Sequence, residues 1–135
     1  MDENQAVINK GFINFSAYIE SFPIVMDALD LLLDSENKEI SKNYLFLFKE
    51  TKEAAINILT LLAEGYNKYN SEEKAKCYGQ ARDSLSHTQS NLLILENFNL
   101  IPQNQSQKII LSFESKIRLF NAVIRKMEKP AFSKK

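Results

Sequence analysis

The sequence is poor in the residues that irregular and cross-linked folds need. Its 135 residues include three glycines, three prolines, one cysteine and no tryptophan. Sandwiches and barrels have many turns that use glycine and proline, and no strand-like alternation is present, so these all-β classes are excluded. The single Cys77 cannot form an internal disulfide, and we interpret it as a small core or groove residue.

Long apolar runs and a leader pattern are also missing. No stretch of about 18 uncharged apolar residues could span a membrane, and the acidic first residues lack the positive and apolar regions of a signal peptide. We therefore expect a cytoplasmic protein with no membrane partner. Composition of 44% apolar and 25% charged residues is sufficient for one domain with a hydrophobic core.

Motifs for catalysis and metal binding are absent too. The only histidine, His87, has no Glu-x-x-His arrangement for a di-iron site, and no Cys/His cluster has zinc spacing. There is no Gly-x-x-x-x-Gly-Lys phosphate loop, no dinucleotide fingerprint and no nucleophile motif. We expect a non-enzymatic protein with no metal, no cofactor and no small-molecule substrate, in which His87 is hydrogen-bonded or exposed.

What the chain does have is four stretches whose apolar residues recur at alternating steps of three and four. This spacing places their side chains on one face of a helix. The seams are Phe15, Tyr18, Phe22, Val25, Leu29 and Leu32; Phe48, Thr51, Ala55, Ile58 and Leu62; Tyr78, Ala81, Leu85, Thr88, Leu92 and Leu95; and Ile110, Phe113, Ile117, Phe120, Ile124 and Met127. They predict an all-α protein, an up-down-up-down four-helix bundle.

Capping residues predict the limits of the middle helices. Asn70 precedes Ser71-Glu72-Glu73, and its side chain can accept hydrogen bonds from first-turn amides while Glu73 reaches back. The third helix should therefore start there and continue to about Phe98. The second helix is predicted over about residues 38–66.

Prolines limit the other two helices. Pro102 suits the start of the fourth helix, which should end before Pro130 because proline disfavours helical geometry in the preceding residue. Pro23 interrupts the first seam, so either Ser21 caps a short helix or a longer helix from about Asn14 is kinked there. The seam keeps its phase across Pro23, which favours the longer helix. The predicted regions are an arm at 1–13, a bundle at 14–129 and a tail at 130–135.

Apolar residues exceed the places that one core offers. Consecutive apolar residues occur at 31–33, 45–48, 61–62 and 92–95. Because a helix turns about 100° per residue, such side chains point around more than one face. A large apolar patch left on a monomer is typical of a protein interface, so we expect self-association. A thick core with a few tolerated surface leucines is the alternative.

Charge is balanced overall but unevenly distributed. Residues 1–40 carry eight acids and two lysines, whereas residues 101–135 carry eight cations and two acids. The first and fourth helices are neighbours in this bundle, so the two faces either attract each other or serve a partner. RNA, DNA or an acidic protein would suit the basic end. The predicted binding residues are Lys49, Lys52, Lys68, Lys116, Arg118, Arg125, Lys126 and Lys129.

Three tyrosines near the second turn offer another interpretation. Tyr66, Tyr69 and Tyr78 lie close in sequence to lysines, and aromatic rings beside cations can stack the bases of a single strand. Tyrosines at a bundle end also commonly cover the core. We favour the structural interpretation.

Around Ala63-Glu64-Gly65-Tyr66 the sequence resembles a small bacterial family known as four helix bundle proteins. That family includes the intervening-sequence proteins encoded within large-subunit ribosomal RNA genes, and its relatives include the accessory variability determinants of diversity-generating retroelements. The likeness covers helices two and three. Its positions here are Lys52, Ala54, Ala55, Ile58, Ala63, Glu64, Gly65, Tyr66, Ala81, Ser84, Leu85 and Leu92, whereas Glu53, Leu61 and Asp83 depart from the pattern.

The resemblance implies a non-enzymatic protein that assembles into a homo-oligomeric ring, commonly a pentamer, and binds nucleic acid or a reverse transcriptase. It also implies a structural or interface role for Ala63, Glu64, Gly65, Tyr66, Ser84 and Leu85. The small Ala63 and Gly65 would permit close helix approach. The alternative function is a structural or scaffolding homo-oligomer that binds a protein partner and no nucleic acid.

Overall fold

Helices account for nearly all of residues 11–128, which are the residues that the structure, a computed structural model, describes. The α-helices are α1 (Ser16–Glu36), α2 (Leu45–Tyr66), α3 (Ser71–Asn97), α4 (Gln103–Glu114) and α5 (Ile117–Glu128). Short 3-10 helices at Phe12–Asn14 and Glu39–Tyr44 precede α1 and α2. The predicted tail at 130–135, Lys129 and residues 1–10 of the predicted arm lie outside the described residues.

The helices surround one hydrophobic core. α2 packs between α1 and α3, while α4 packs between α3 and α1, and α5 lies mainly against α3. Phe48 and Phe113 are fully buried at its centre, and Phe120 is 1% exposed. Burying a phenylalanine side chain stabilises a fold by about 1.5–3 kcal/mol. The prediction of an all-α helical bundle is confirmed for residues 11–128.

The seams of α2 and α3 were predicted correctly, including their threonines. Every residue of both predicted seams is buried. The Thr51 hydroxyl donates to the Leu47 carbonyl at 2.6 Å, and the Thr88 hydroxyl donates to the Ser84 carbonyl at 2.8 Å. Because each hydroxyl is satisfied within its own helix, threonine can occupy a core position.

The predicted seam of α1 is correct except at one position, because Val25 and Leu32 are fully buried and Phe15, Tyr18 and Leu29 pack partly buried against the core. Phe22, placed in the core by the prediction, is 43% exposed. Beside Val25 and Leu32 of the seam, the buried residues of α1 are Ala17, Ser21, Ile24, Ala28, Leu31 and Ser35. Small side chains recur along this line and let α1 approach its neighbours closely, so the larger stripe containing Phe22 faces outwards.

Two predicted limits of helices are confirmed. α1 continues from Ser16 through Pro23 to Glu36, as the longer-helix alternative required. At the start of α3 the Asn70 side chain accepts a hydrogen bond from the Glu73 amide at 2.8 Å. α3 ends where Asn99 adopts a left-handed conformation with φ of 59°, which asparagine tolerates well.

Two other limits differ from the prediction, and in both a serine explains the change. The segment Glu39–Tyr44 is 3-10 rather than α-helical, and the buried Ser41 hydroxyl donates to the Ser35 carbonyl at 2.8 Å. The predicted fourth helix is divided into α4 and α5 by Ser115 and Lys116. There the Ser115 hydroxyl donates to the Ser112 carbonyl at 2.6 Å. Such local bonds compete with regular helix geometry.

None of the helices in residues 11–128 combines the length and apolar character that crossing a membrane requires.

Candidate partner-binding surfaces

Gly65, in the last turn of α2, lies where α2 closely approaches α3. A Cβ atom at this position would lie 2.6 Å from Tyr78 Cε1 and 2.8 Å from Cys77 Cβ. Cys77 is buried, as interpreted from the sequence. Burial raises the pKa of the Tyr78 hydroxyl to about 12, with smaller effects from Cys77 and Tyr66. Close helix approach at Gly65 is therefore confirmed.

The other residues of the Ala63-Glu64-Gly65-Tyr66 motif lie at the end of the bundle where α2 ends and α3 begins. The Tyr66 ring lies 5.5 Å from that of Phe15 between centroids. Lys74 Nζ donates to the Tyr66 carbonyl at 2.5 Å, so a cation forms a hydrogen bond with a free carbonyl at the C-terminal end of α2. Ala63 is partly exposed and Glu64 is exposed, whereas Ser84 is partly buried and Leu85 is completely buried.

The three tyrosines named above separate into two kinds. Tyr78 is 3% exposed and Tyr66 is partly buried, so both rings belong to the packed bundle end. Tyr69 is 99% exposed in the turn between α2 and α3. Of the three, Tyr69 is the ring with a free face for stacking.

Two of the predicted binding lysines are engaged within the chain. Lys52 Nζ lies 2.7 Å from Glu36 Oε1, and Lys116 Nζ lies 3.1 Å from Glu20 Oε1. Each lysine side chain is about one quarter exposed. These ion pairs reduce the attraction of both lysines for an external anion.

The outer side of α5 is basic. Arg118, Arg125 and Lys126, called here the α5 basic row, are exposed. The acid on this helix is Glu128. Seven residues separate Arg118 from Arg125, so the row extends about 10 Å along the helix. The predicted Lys49 and Lys68 are also exposed, but they lie on α2 and in the turn after it.

The outer side of α1 carries a stripe of exposed apolar side chains that the sequence reasoning missed. Its members, called the α1 apolar stripe, are Ile19 at 50%, Phe22 at 43%, Met26 at 38% and Leu33 at 47% exposure. Their steps of three, four and seven residues are a helical signal visible in the sequence. Of the four, Phe22 alone belongs to the predicted core seam of α1.

Beside this stripe run the exposed carboxylates Asp27, Asp30 and Asp34, called the α1 acidic row. They line a groove of about 300 Å³ between α1 and α4 that Lys108 also lines. Within residues 11–128 none of the three forms an ion pair. The row is therefore a negative surface next to exposed apolar side chains, with Lys108 beside it in the same groove.

A second exposed apolar surface lies where α2 begins and α3 ends. Its side chains are Leu45 at 49%, Phe46 at 65%, Leu93 at 48%, Ile94 at 39% and Phe98 at 47% exposure. The expectation that apolar residues exceed the core positions is thus confirmed. A groove of about 770 Å³ adjoins this surface at the corner between α3 and α4.

His87 pairs with a carboxylate across α2 and α3. His87 Nε2 lies 2.8 Å from Glu50 Oε1, and both side chains are about half exposed, as expected for a hydrogen-bonded histidine. The hydrogen bond with His87 lowers the pKa of the Glu50 carboxyl, and the Asn91 amide lowers it further. Residues 11–128 contain no group of three or more histidine, cysteine or acidic side chains arranged to hold a metal ion.

Comparisons with known proteins return no relative: no family model matches the sequence, and no curated protein or solved structure matches the chain. What the surfaces bind must therefore be inferred from their own geometry and charge.

Proposed function

We propose that the protein is a non-enzymatic, oligomeric accessory protein of the cytoplasm that binds nucleic acid, or a nucleic-acid enzyme such as a reverse transcriptase. The observation that carries the proposal is the α5 basic row. Its three cations are exposed, and within the described residues none of them forms an ion pair. Clustered cations on one helix face suit a polyanion.

The proposal includes the bundle topology and the family resemblance from the sequence. Hydrogen bonds from α3 to α4 and α5 support an antiparallel arrangement. Arg82 bonds to Asn121, Gln89 to Glu114 and Gln107 to Glu96. Residue numbers rise on one helix as they fall on the other. This order is compatible with up-down-up-down topology, and Gly65 occupies a position where the resembled family has glycine.

Self-association is the second part of the proposal. The α1 apolar stripe and the surface around Phe46 lie on different helices, and both expose large apolar side chains. Exposed patches of this kind commonly mark interfaces. A ring, with five subunits as the resemblance implies, would cover exposed apolar side chains by placing different sides of neighbouring copies together.

A scaffolding homo-oligomer with a protein partner is the second candidate. The α1 acidic row favours it, because exposed carboxylates repel phosphates while they attract basic segments of proteins. In this case Lys49, Lys68 and the α5 basic row would contribute to protein contacts only.

Salt-dependent binding of labelled single-stranded RNA and DNA tests the primary proposal. For the intact chain, log affinity should fall linearly with log salt by about 0.7 per neutralised phosphate. Combined Arg118→Gln, Arg125→Gln and Lys126→Gln substitutions should reduce that slope by about two. Gel-shift titrations at several salt concentrations would measure it.

The control is the combined Lys38→Gln, Lys42→Gln and Lys108→Gln variant, which removes the same charge from other exposed positions. It should retain most of the slope. Equal losses in both triple variants would exclude α5 as the binding face. No binding of either oligonucleotide by the intact chain would favour the scaffolding candidate.

A further inference from the structure

The two most charged surfaces of the chain do not meet each other within it. The α1 acidic row lies beside α4, whereas the α5 basic row is exposed on the helix that follows α4. One ion pair, Glu20 with Lys116, joins α1 to the break between α4 and α5. The remaining opposite charges are left without partners among the described residues.

The two rows match in spacing. Asp27 and Asp34 are seven residues apart, as are Arg118 and Arg125. At 1.5 Å per residue both rows extend about 10 Å along their helices. Two helices laid side by side could therefore bring the ends of one row opposite the ends of the other.

Apolar side chains accompany both rows. On α1 the apolar stripe is displaced from the acidic row by roughly a quarter of a turn, as 100° per residue requires. On α5 the partly buried Leu119 and Val123 lie beside the basic row. Leu119 and Val123 also pack against the protein's own core, so the larger exposed apolar surface is the one on α1, and the two charged rows have opposite signs.

From this match we infer that the outer face of α1 in one copy binds the outer face of α5 in a second copy. The inference rests on the self-association in the proposed function and identifies its contact. Exposed ion pairs are individually weak, so burial of the α1 apolar stripe supplies most of the affinity. The charges set the register and reject the wrong pairing.

The second copy is favoured as occupant because this chain carries both complementary faces. An α1-to-α1 contact would oppose two acidic rows, and an α5-to-α5 contact would oppose two basic rows. The α1-to-α5 contact avoids both repulsions. It uses a different surface on each copy, so every copy retains one free face and the contact can repeat.

Charge reversal with mixing tests the contact. The acid-reversed variant carries Asp27→Lys, Asp30→Lys and Asp34→Lys, and the base-reversed variant carries Arg118→Glu, Arg125→Glu and Lys126→Glu. Sedimentation velocity should show assemblies for the intact chain and single chains for each variant alone, because each then has two faces of like charge. An equimolar mixture should assemble again, since each α1 now meets an α5 of opposite sign.

Controls separate this contact from misfolding and from the nucleic-acid role. All six positions are exposed, and circular dichroism should show unchanged helix content in both variants. The acid-reversed variant should lose assembly while it still binds oligonucleotide, because its α5 is intact. A variant with Lys38→Glu and Lys42→Glu, at exposed positions outside both rows, should assemble normally.

Three results would overturn the inference. Assemblies formed by each reversed variant alone would place the contact elsewhere, and the self-association in the proposed function would stand. A mixture that stays as single chains would show that the two rows do not face each other. Sedimentation of the intact protein as single chains would contradict both this contact and the proposed self-association. Nucleic-acid binding would be unaffected by that result, because the oligonucleotide titrations test it separately.

Discussion

Gly65 determines how closely α2 and α3 approach at the end of the bundle that contains Tyr78. The atoms that a side chain here would meet belong to an aromatic ring and to Cys77 Cβ. Neither is the end of a flexible side chain. In contrast, a Cβ atom at Gly79, within α3, would meet no atom closer than 4 Å. The two glycines are therefore a matched pair in different surroundings.

Alanine at these two positions should have opposite effects on stability. Gly65→Ala forces a contact below 3 Å, and overpacking of this kind costs about 1–3 kcal/mol. Better helix propensity offsets about 1 kcal/mol of it. Gly79→Ala gains the propensity without the contact and should stabilise by about 0.5–1 kcal/mol. Urea unfolding of both variants measures the difference, and a gain for Gly65→Ala would contradict the tight contact.

At the scale of elements, patterns along the chain predicted α2 and α3 well because their buried residues are the apolar residues at regular spacing. α1 shows why that signal is incomplete. It has two stripes, and the one with small residues such as Ala17, Ser21 and Ala28 is buried. Which stripe a neighbouring helix covers depends on how close that helix can come, and local spacing does not contain that distance.

For the candidate binding surfaces, the sequence predicted which side chains are exposed on one helix but not which cations are paired between helices. Exposure of the α5 basic row follows from the amphipathic pattern of its helix. The engagement of Lys52 by Glu36, and of Lys116 by Glu20, depends instead on how separate helices are aligned. A list of cations in the sequence does not show which ones the fold has already paired.

Pro23 within α1 is expected to lower the stability of that helix. Proline has no amide to donate to the Ile19 carbonyl, and an interior proline costs about 3 kcal/mol. Pro23→Ala should stabilise the protein by about 1–2 kcal/mol, because the loss of proline's restraint on the unfolded chain offsets part of the gain. Thermal and urea unfolding would measure it. Ser86→Ala, at an exposed position in α3, should change stability by less than about 0.5 kcal/mol.

The absence of any gain from Pro23→Ala would mean that neighbouring parts of α1 have already satisfied the Ile19 carbonyl. The measurement therefore also reports how well the long first helix accommodates its proline.

For the molecule as a whole, exposed apolar surfaces should couple thermal stability to concentration. If copies associate when folded, the midpoint of unfolding rises with protein concentration. Combined Phe22→Ser and Met26→Ser substitutions should weaken this dependence, because both side chains belong to the α1 apolar stripe. The control Leu111→Ser removes a side chain that is 65% exposed on α4 and should preserve the dependence. Calorimetry across a concentration series measures it, and a midpoint independent of concentration in the intact chain would contradict association.

The break at Ser115 and Lys116 has a consequence for the direction in which α5 faces. The backbone makes one tight turn there, with the Lys116 amide donating to the Phe113 carbonyl at 2.9 Å. Adding or removing one residue in this break would rotate the α5 basic row by about 100° around the helix axis. The length of this joint thus acts as an angular setting, which fixes the side of the molecule on which the α5 basic row can meet a partner.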